Sequence, residues 1–152
     1  MNKLDISTLK KAYTAYSKAL DYALNIETYS SDKLYEKEIV SNALIHHFEI
    51  TYELSWKMMK RYIEMEDSDV EILTRKDLFR IAGEKGLIYD FHKWVEFHNA
   101  RNKTSHTYDE DTAKEVYATA KEFKTYVKDL ISALEKRIEY DEKIENTIEK
   151  QG

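Results

Sequence analysis

The chain has 152 residues, 42% of them hydrophobic and 35% charged, with three glycines and neither proline nor cysteine. Average usage would put roughly 18 Gly and Pro in this length, so the residues that make hairpins, tight turns and phosphate loops are missing and an all-α protein is expected. Gly83 and Gly86 are the only interior glycines, which excludes a P-loop and a dinucleotide fingerprint, and zero cysteine excludes disulfides, thiolate catalysis and zinc fingers.

No apolar stretch approaches the roughly 18 residues of a spanning helix, and Met1-Asn2-Lys3-Leu4-Asp5 lacks a signal-peptide apolar run. The expectation is a soluble cytoplasmic protein, not a membrane one, with one domain over residues 1–152. A net charge of −5 argues against broad adsorption to nucleic acid, whose affinity comes mainly from Lys and Arg neutralising phosphates. Any contact with RNA or a nucleotide is then a local site.

From Leu4 to about Tyr29, Leu9, Tyr13, Tyr16, Leu20 and Ala23 recur at steps of three and four and predict a first helix. Ser30-Ser31-Asp32 is a break with N-cap residue types, after which nothing stops a helix from about Lys33 to Glu66. The middle of that second helix is apolar on several sides (Leu44, Ile45, Phe48, Ile50, Leu54, Trp56, Met58, Met59), as in a helix with more than one neighbour. It is expected to be central.

Thr74 followed by Asp77 resembles a capping box opening a short helix that ends near Gly83 to Gly86. Asp90 caps the next helix, from about Phe91 to Thr104, with Phe91, Trp94, Val95 and Phe97 or His98 turned inward. The last helix is expected to begin near Thr112, whose spacing to Glu115 is again that of a capping box. It carries Val116, Ala120, Phe123, Val127, Ile131, Leu134 and Ile138. Four long helices and a short insert make an up-and-down four-helix bundle. Ile144 and Ile148 prolong the apolar stripe and hint at a second subunit, while Trp56 and Trp94 are assigned to the core.

A helical bundle invites a di-iron site, but no Glu-x-x-His occurs in the sequence. His46, Glu49, Glu53 and Lys57 share a face of the second helix, an incomplete and reversed ligand set, so no metal is expected. Glu53 and Lys57 stand at i,i+4, worth about 0.2–0.5 kcal/mol. Glu49 and Glu53 put two like charges a turn apart on an apolar helix, and such a pair needs a cation or solvent.

Tyr89 to Tyr108 is locally basic in an acidic chain and holds three of the five histidines. Arg101 has no acidic residue three or four positions away, so no within-helix salt bridge is open to it and its charge is free for another purpose. The plain alternative is that Arg101, Lys103 and His106 complement a helix C-terminus. Five steps of about 100° set Arg101 and His106 roughly 140° apart on a continuous helix. They converge only if the helix ends between them or a second copy supplies one of them. A guanidinium gripping phosphate beside a proton-exchanging imidazole would then suit one anion pocket. Thr104 and Ser105 read as capping or turn residues.

Arg101-Asn102-Lys103-Thr104-Ser105-His106-Thr107-Tyr108 resembles the Arg-x4-His-x-Tyr motif of the HEPN superfamily, with Asn102 in the polar position after the arginine. Phe48-Glu49-Ile50-Thr51-Tyr52-Glu53-Leu54-Ser55-Trp56-Lys57 and the stretch from Thr74-Arg75 to Gly86-Leu87-Ile88 are similar to its nucleotidyltransferase substrate-binding branch. These signatures span about residues 40 to 120 in family order.

The resemblance implies a dimerising helical bundle paired with a minimal nucleotidyltransferase of the MNT type. It implies a HepT-like toxin that cleaves RNA without metal or other cofactor, and whose partner neutralises it by adenylylating the motif tyrosine. Carried over, Arg101 and His106 are the ribonuclease residues, Asn102 supports them, and Tyr108 accepts AMP; Glu49, singled out by its charge on an apolar helix, is taken as a further supporting residue. The alternative from the same resemblance is a non-catalytic substrate- or nucleotide-binding subunit of a two-component nucleotidyltransferase.

Overall fold

The computed structural model describes residues 3–29 and 34–151; the break at Ser30-Ser31-Asp32 lies outside them. Among the described residues there are α-helices over Ser7–Tyr29 (α1), Leu34–Glu66 (α2), Arg75–Glu84 (α3), Phe91–Lys103 (α4) and Glu110–Gln151 (α5), and no strands. A single 3-10 turn, Thr104–His106, follows α4. The all-α bundle read from composition and periodicity is the architecture observed. α2 and α5 pack on each other and each contacts α1 and α4, while α3 lies against α2 and α4. The central place of α2 follows from its apolar residues on several faces.

Local chemistry explains the boundaries. Asp5 accepts the Ser7 backbone N–H at 2.9 Å, so α1 begins at Ser7 and not at Leu4. Thr74 and Asp77 form the reciprocal box at the start of α3, each side chain taking the other's backbone N–H. At its end Gly86 adopts φ +77°, a left-handed conformation natural to glycine, and the N–H groups of Gly86 and Leu87 return to the carbonyls of Gly83 and Ala82. Asp90 caps α4 through the Lys93 N–H.

α5 starts at Glu110, earlier than Thr112. Asp109 accepts both the Thr112 backbone N–H and the Thr112 hydroxyl, at 3.0 and 2.8 Å, so that hydroxyl is used as a donor and caps nothing.

The core is aromatic at its centre. Phe123 of α5 packs its ring against Phe97 (4.9 Å between centroids), Phe48 (5.1 Å) and Trp94 (5.6 Å), mostly edge to face, a geometry worth about 0.5–1.5 kcal/mol per pair beyond area burial. Trp94 and Phe97 are fully buried, whereas Phe91, Val95 and His98 are only partly so. On α2, Phe48, Tyr52, Ser55 and Met59 face this core. Glu49 and Glu53, one residue further along, therefore stand on the flank that meets α4.

Trp56 departs from its expected place. It is half-buried at the rim, its indole N–H donating to Glu53 Oε2 at 3.0 Å and its ring covered by the Arg75 guanidinium at 3.3 Å from the centroid. At the far end, Ile138, Ile144 and Ile148 of α5 line an open groove of about 280 Å³ with Leu4 and Met65, and Ile148 stays 64% exposed.

Candidate functional site

Arg101 leaves α4 toward α2, where two carboxylates receive it. Its Nε donates to Glu53 Oε1 at 3.0 Å, its Nη2 lies 3.2 Å from Glu49 Oε1, and its Nη1 donates to Thr104 Oγ1 at 3.2 Å. The expectation of a free Arg101 charge is thereby corrected: within-helix spacing excludes partners on α4 only, and the partners come from α2. The same contact answers the need of Glu49 and Glu53 for a cation. Glu53 is committed to Arg101 and Trp56, not to Lys57, whose ammonium lies 5.7 Å from the Trp56 ring.

α4 ends at Lys103, between Arg101 and His106, as their convergence requires. The 3-10 turn is bound by threonine hydroxyls: Thr104 donates to the Arg101 carbonyl at 2.8 Å and Thr107 to the Thr104 carbonyl at 3.3 Å. His106 emerges exposed, its ring edge-on to Tyr108 at 6.0 Å. Tyr108 is 86% exposed. The structure thus joins Arg101 to Glu49, Glu53 and Thr104, and His106 to Tyr108, but records no direct contact between the guanidinium and the imidazole. Lys103 is held by Glu115 at 2.7 Å, and Asn102 is exposed.

Behind this surface lies a second chain of polar groups. The Tyr52 hydroxyl is 2.8 Å from His98 Nδ1, and the Asn102 amide nitrogen is 3.4 Å from His98 Nε2. Burial raises the Tyr52 hydroxyl above its ordinary range, against the lowering influence of nearby Arg75. Burial also lowers His98, helped by Arg75 and Arg101 and opposed by Glu53, so the neutral imidazole is favoured. Sequence reasoning placed His98 only as an inward candidate and passed over Tyr52 and Arg75 as site groups. The one signal was Tyr52's position a turn after Phe48 on the same inward face. Among the described residues no three His, Asp or Glu side chains gather as metal ligands, and no helix is long and apolar enough to cross a membrane.

Helical packing that holds an arginine between two glutamates, followed by a turn that exposes a histidine and a tyrosine, defines an all-α protein with a polar cluster where α4 meets α2. The chain belongs to the family described as nucleotidyltransferase substrate binding protein like, whose model matches residues 4–136. It is 32% identical over 143 residues to a Haemophilus influenzae protein named Probable ribonuclease HepT, covering 92% of this chain and 98% of the relative.

Among solved structures it is similar to HI0074 of Haemophilus influenzae, described as revealing the fold of a substrate binding domain of a nucleotidyltransferase. The TM-score is 0.79 and the identity 30%, over 86% of this chain and 99% of that one. A Thermus thermophilus protein shares the fold at 24% identity, with a TM-score of 0.60 over 78% of this chain and 98% of that one.

Proposed function

We propose that the chain is a metal-independent endoribonuclease, the toxin of a two-component pair, with Arg101 and His106 acting on the RNA phosphodiester and Tyr108 the site at which a partner nucleotidyltransferase silences it. The observation that carries this reading is the turn after α4, where an imidazole and a phenol stand exposed together a few residues beyond a firmly held guanidinium. The name of the Haemophilus influenzae relative supports ribonuclease chemistry, and the family description supports a nucleotidyltransferase partner.

RNA carries its own nucleophile. The 2′-oxygen attacks phosphorus, the bond to the 5′-oxygen breaks, and a 2′,3′-cyclic phosphate and a free 5′-hydroxyl result. That reaction needs a proton removed from one oxygen and delivered to the other, and charge stabilised on the phosphoryl oxygens. His106 is suited to the proton transfers. Arg101 donates N–H groups to Glu53 and Thr104 and is ion-paired with Glu49, which leaves part of its five-donor fork for a phosphoryl oxygen. Each chain offers one motif histidine, so separate acid and base come from two copies in a homodimer.

Adenylylation of Tyr108 proceeds by attack of its hydroxyl oxygen on the α-phosphorus of ATP with release of pyrophosphate. The new phosphate stands beside His106 and blocks the RNA path without a change of fold. Incubation with cellular RNA in EDTA tests the reading: cleavage by the native chain and none by His106→Ala is expected. Absence of cleavage by either favours the second reading, a non-catalytic substrate-binding subunit, for which the HI0074 description speaks. Co-expression with a neighbouring nucleotidyltransferase is expected to add the mass of AMP, and Tyr108→Phe to abolish the gain.

A further inference from the structure

His98 carries no role in the reading above, yet both of its ring nitrogens have polar neighbours. Nδ1 faces the buried Tyr52 hydroxyl at 2.8 Å and Nε2 faces the side-chain amide of Asn102 at 3.4 Å. The charged groups around it are Glu53 on α2, Arg75 on α3 and Arg101 on its own helix. A neutral imidazole has one donor and one acceptor nitrogen, so the position of its proton decides what every neighbour must do.

Tyr52 fixes that position. Its ring is fully buried, and its hydroxyl proton must find an acceptor or forfeit a buried donor. Arg75, the cation beside it, only donates. His98 Nδ1 is the acceptor within hydrogen-bond distance. The alternative, Nδ1–H donating to the tyrosine oxygen, strands the tyrosine proton inside the protein. The proton of His98 therefore belongs on Nε2, the nitrogen turned to Asn102. Two N–H donors do not pair, whereas a carboxamide oxygen accepts from Nε2–H. Asn102 is exposed, so a half-turn of its amide exchanges oxygen and nitrogen without disturbing the packing.

We propose that His98 is a positioning residue for the motif: Tyr52 sets its proton on Nε2, Nε2–H takes the oxygen of the Asn102 amide, and the amide NH2 is left facing outward as a donor for a phosphoryl oxygen. The last step rests on the ribonuclease reading; the proton placement does not. Asn102 follows Arg101 directly, so the arrangement presents an uncharged donor beside the guanidinium.

Two measurements test it. In protein labelled with 15N in its imidazoles, with the His98 signals assigned by their loss in His98→Gln, Nδ1 is expected to be the unprotonated nitrogen and Nε2 the protonated one at pH 7.5. Tyr52→Phe, which keeps the ring and removes the proton donor, is expected to give a mixture of both tautomers. A proton on Nδ1 in the native chain, or a cationic ring at that pH, overturns the proposal.

In RNA cleavage, Tyr52→Phe is expected to lower kcat/KM roughly 3- to 10-fold, the worth of one hydrogen bond, and to have no further effect in an Asn102→Ala background. An equal loss in both backgrounds means that Tyr52 acts without Asn102, and the proposal fails. Thermal melts confirm that each variant is folded. Should the native chain cleave no RNA, the ribonuclease reading falls, and the imidazole spectra alone uphold or overturn the proton placement.

Discussion

The two ends of the Arg101 to Tyr108 segment are held in opposite ways. Arg101 sits on a helix packed against the core and is fixed by Glu49, Glu53 and Thr104. Five and seven residues later His106 and Tyr108 stand in solvent with each other as ring neighbours. A charged anchor is expensive to leave loose at a partly buried contact, and the α2 carboxylates tie it down. A group that must meet a large substrate or a modifying enzyme has to be reachable. The contrast separates what the fold needs from what the proposed chemistry needs, and substitutions at the two ends are expected to part along the same line.

The largest expected effect lies at the exposed end. His106→Ala should reduce RNA cleavage by about 10²- to 10⁴-fold, the usual contribution of a positioned acid or base, with an unchanged melting temperature because the ring packs against no core residue. A large drop in melting temperature would show that His106 supports the fold and would blur the division. Tyr108→Phe should leave both cleavage and melting temperature as they are while removing AMP acceptance.

At the anchored end activity and stability should fall together. Arg101→Ala leaves Glu49 and Glu53 one turn apart without their cation, at a cost of about 1–3 kcal/mol, or several degrees in melting temperature for a chain of this size. Glu53→Gln in the same chain removes the mutual repulsion of the two carboxylates and still accepts the Trp56 N–H, so it should restore part of the loss. Additive penalties would mean that the two side chains are not coupled, contrary to their 3.0 Å contact.

Much of this frame was legible in the sequence because it rests on local rules. Thr74 with Asp77, Asp90, Gly86 and the inward positions Trp94 and Phe97 each declare themselves within four residues. The errors arose where one group had two possible partners or a distant one. Thr112 carries the spacing of a capping residue, but Asp109 takes its hydroxyl first. Trp56 reads as core by hydrophobicity, yet its indole N–H and its face are used by Glu53 and Arg75. Arg101 without an acid three or four residues away on α4, and two glutamates a turn apart on α2 in need of a cation, were two visible halves of one contact that only packing of α2 on α4 could join.

A moderate effect is expected at α3, which brings Arg75 over Trp56. Thr74→Ala removes the hydroxyl that accepts the Asp77 N–H and should cost about 1 kcal/mol. Urea unfolding should show a lower midpoint with an unchanged slope. If the midpoint does not move, the cap is dispensable and the buried Leu78 and Phe79 together with the Arg75 stack seat α3.

The smallest expected effect concerns how the exposed end is tethered, since Asp109 follows Tyr108 directly and caps α5. The Thr112 hydroxyl and backbone N–H hold the Asp109 carboxyl below its ordinary value of 3.8. A carboxyl with a depressed value in the folded chain contributes stability that is complete above the unfolded value and is lost as pH falls through the folded one. Asp109→Asn keeps a good capping shape but no charge. The native chain should therefore melt slightly above this variant at neutral pH, and the difference should close as pH falls below the ordinary value of 3.8. A difference that persists unchanged in acid would assign the cap to shape alone. Its disappearance on schedule would show that the turn carrying His106 and Tyr108 is tied to α5 by a charge.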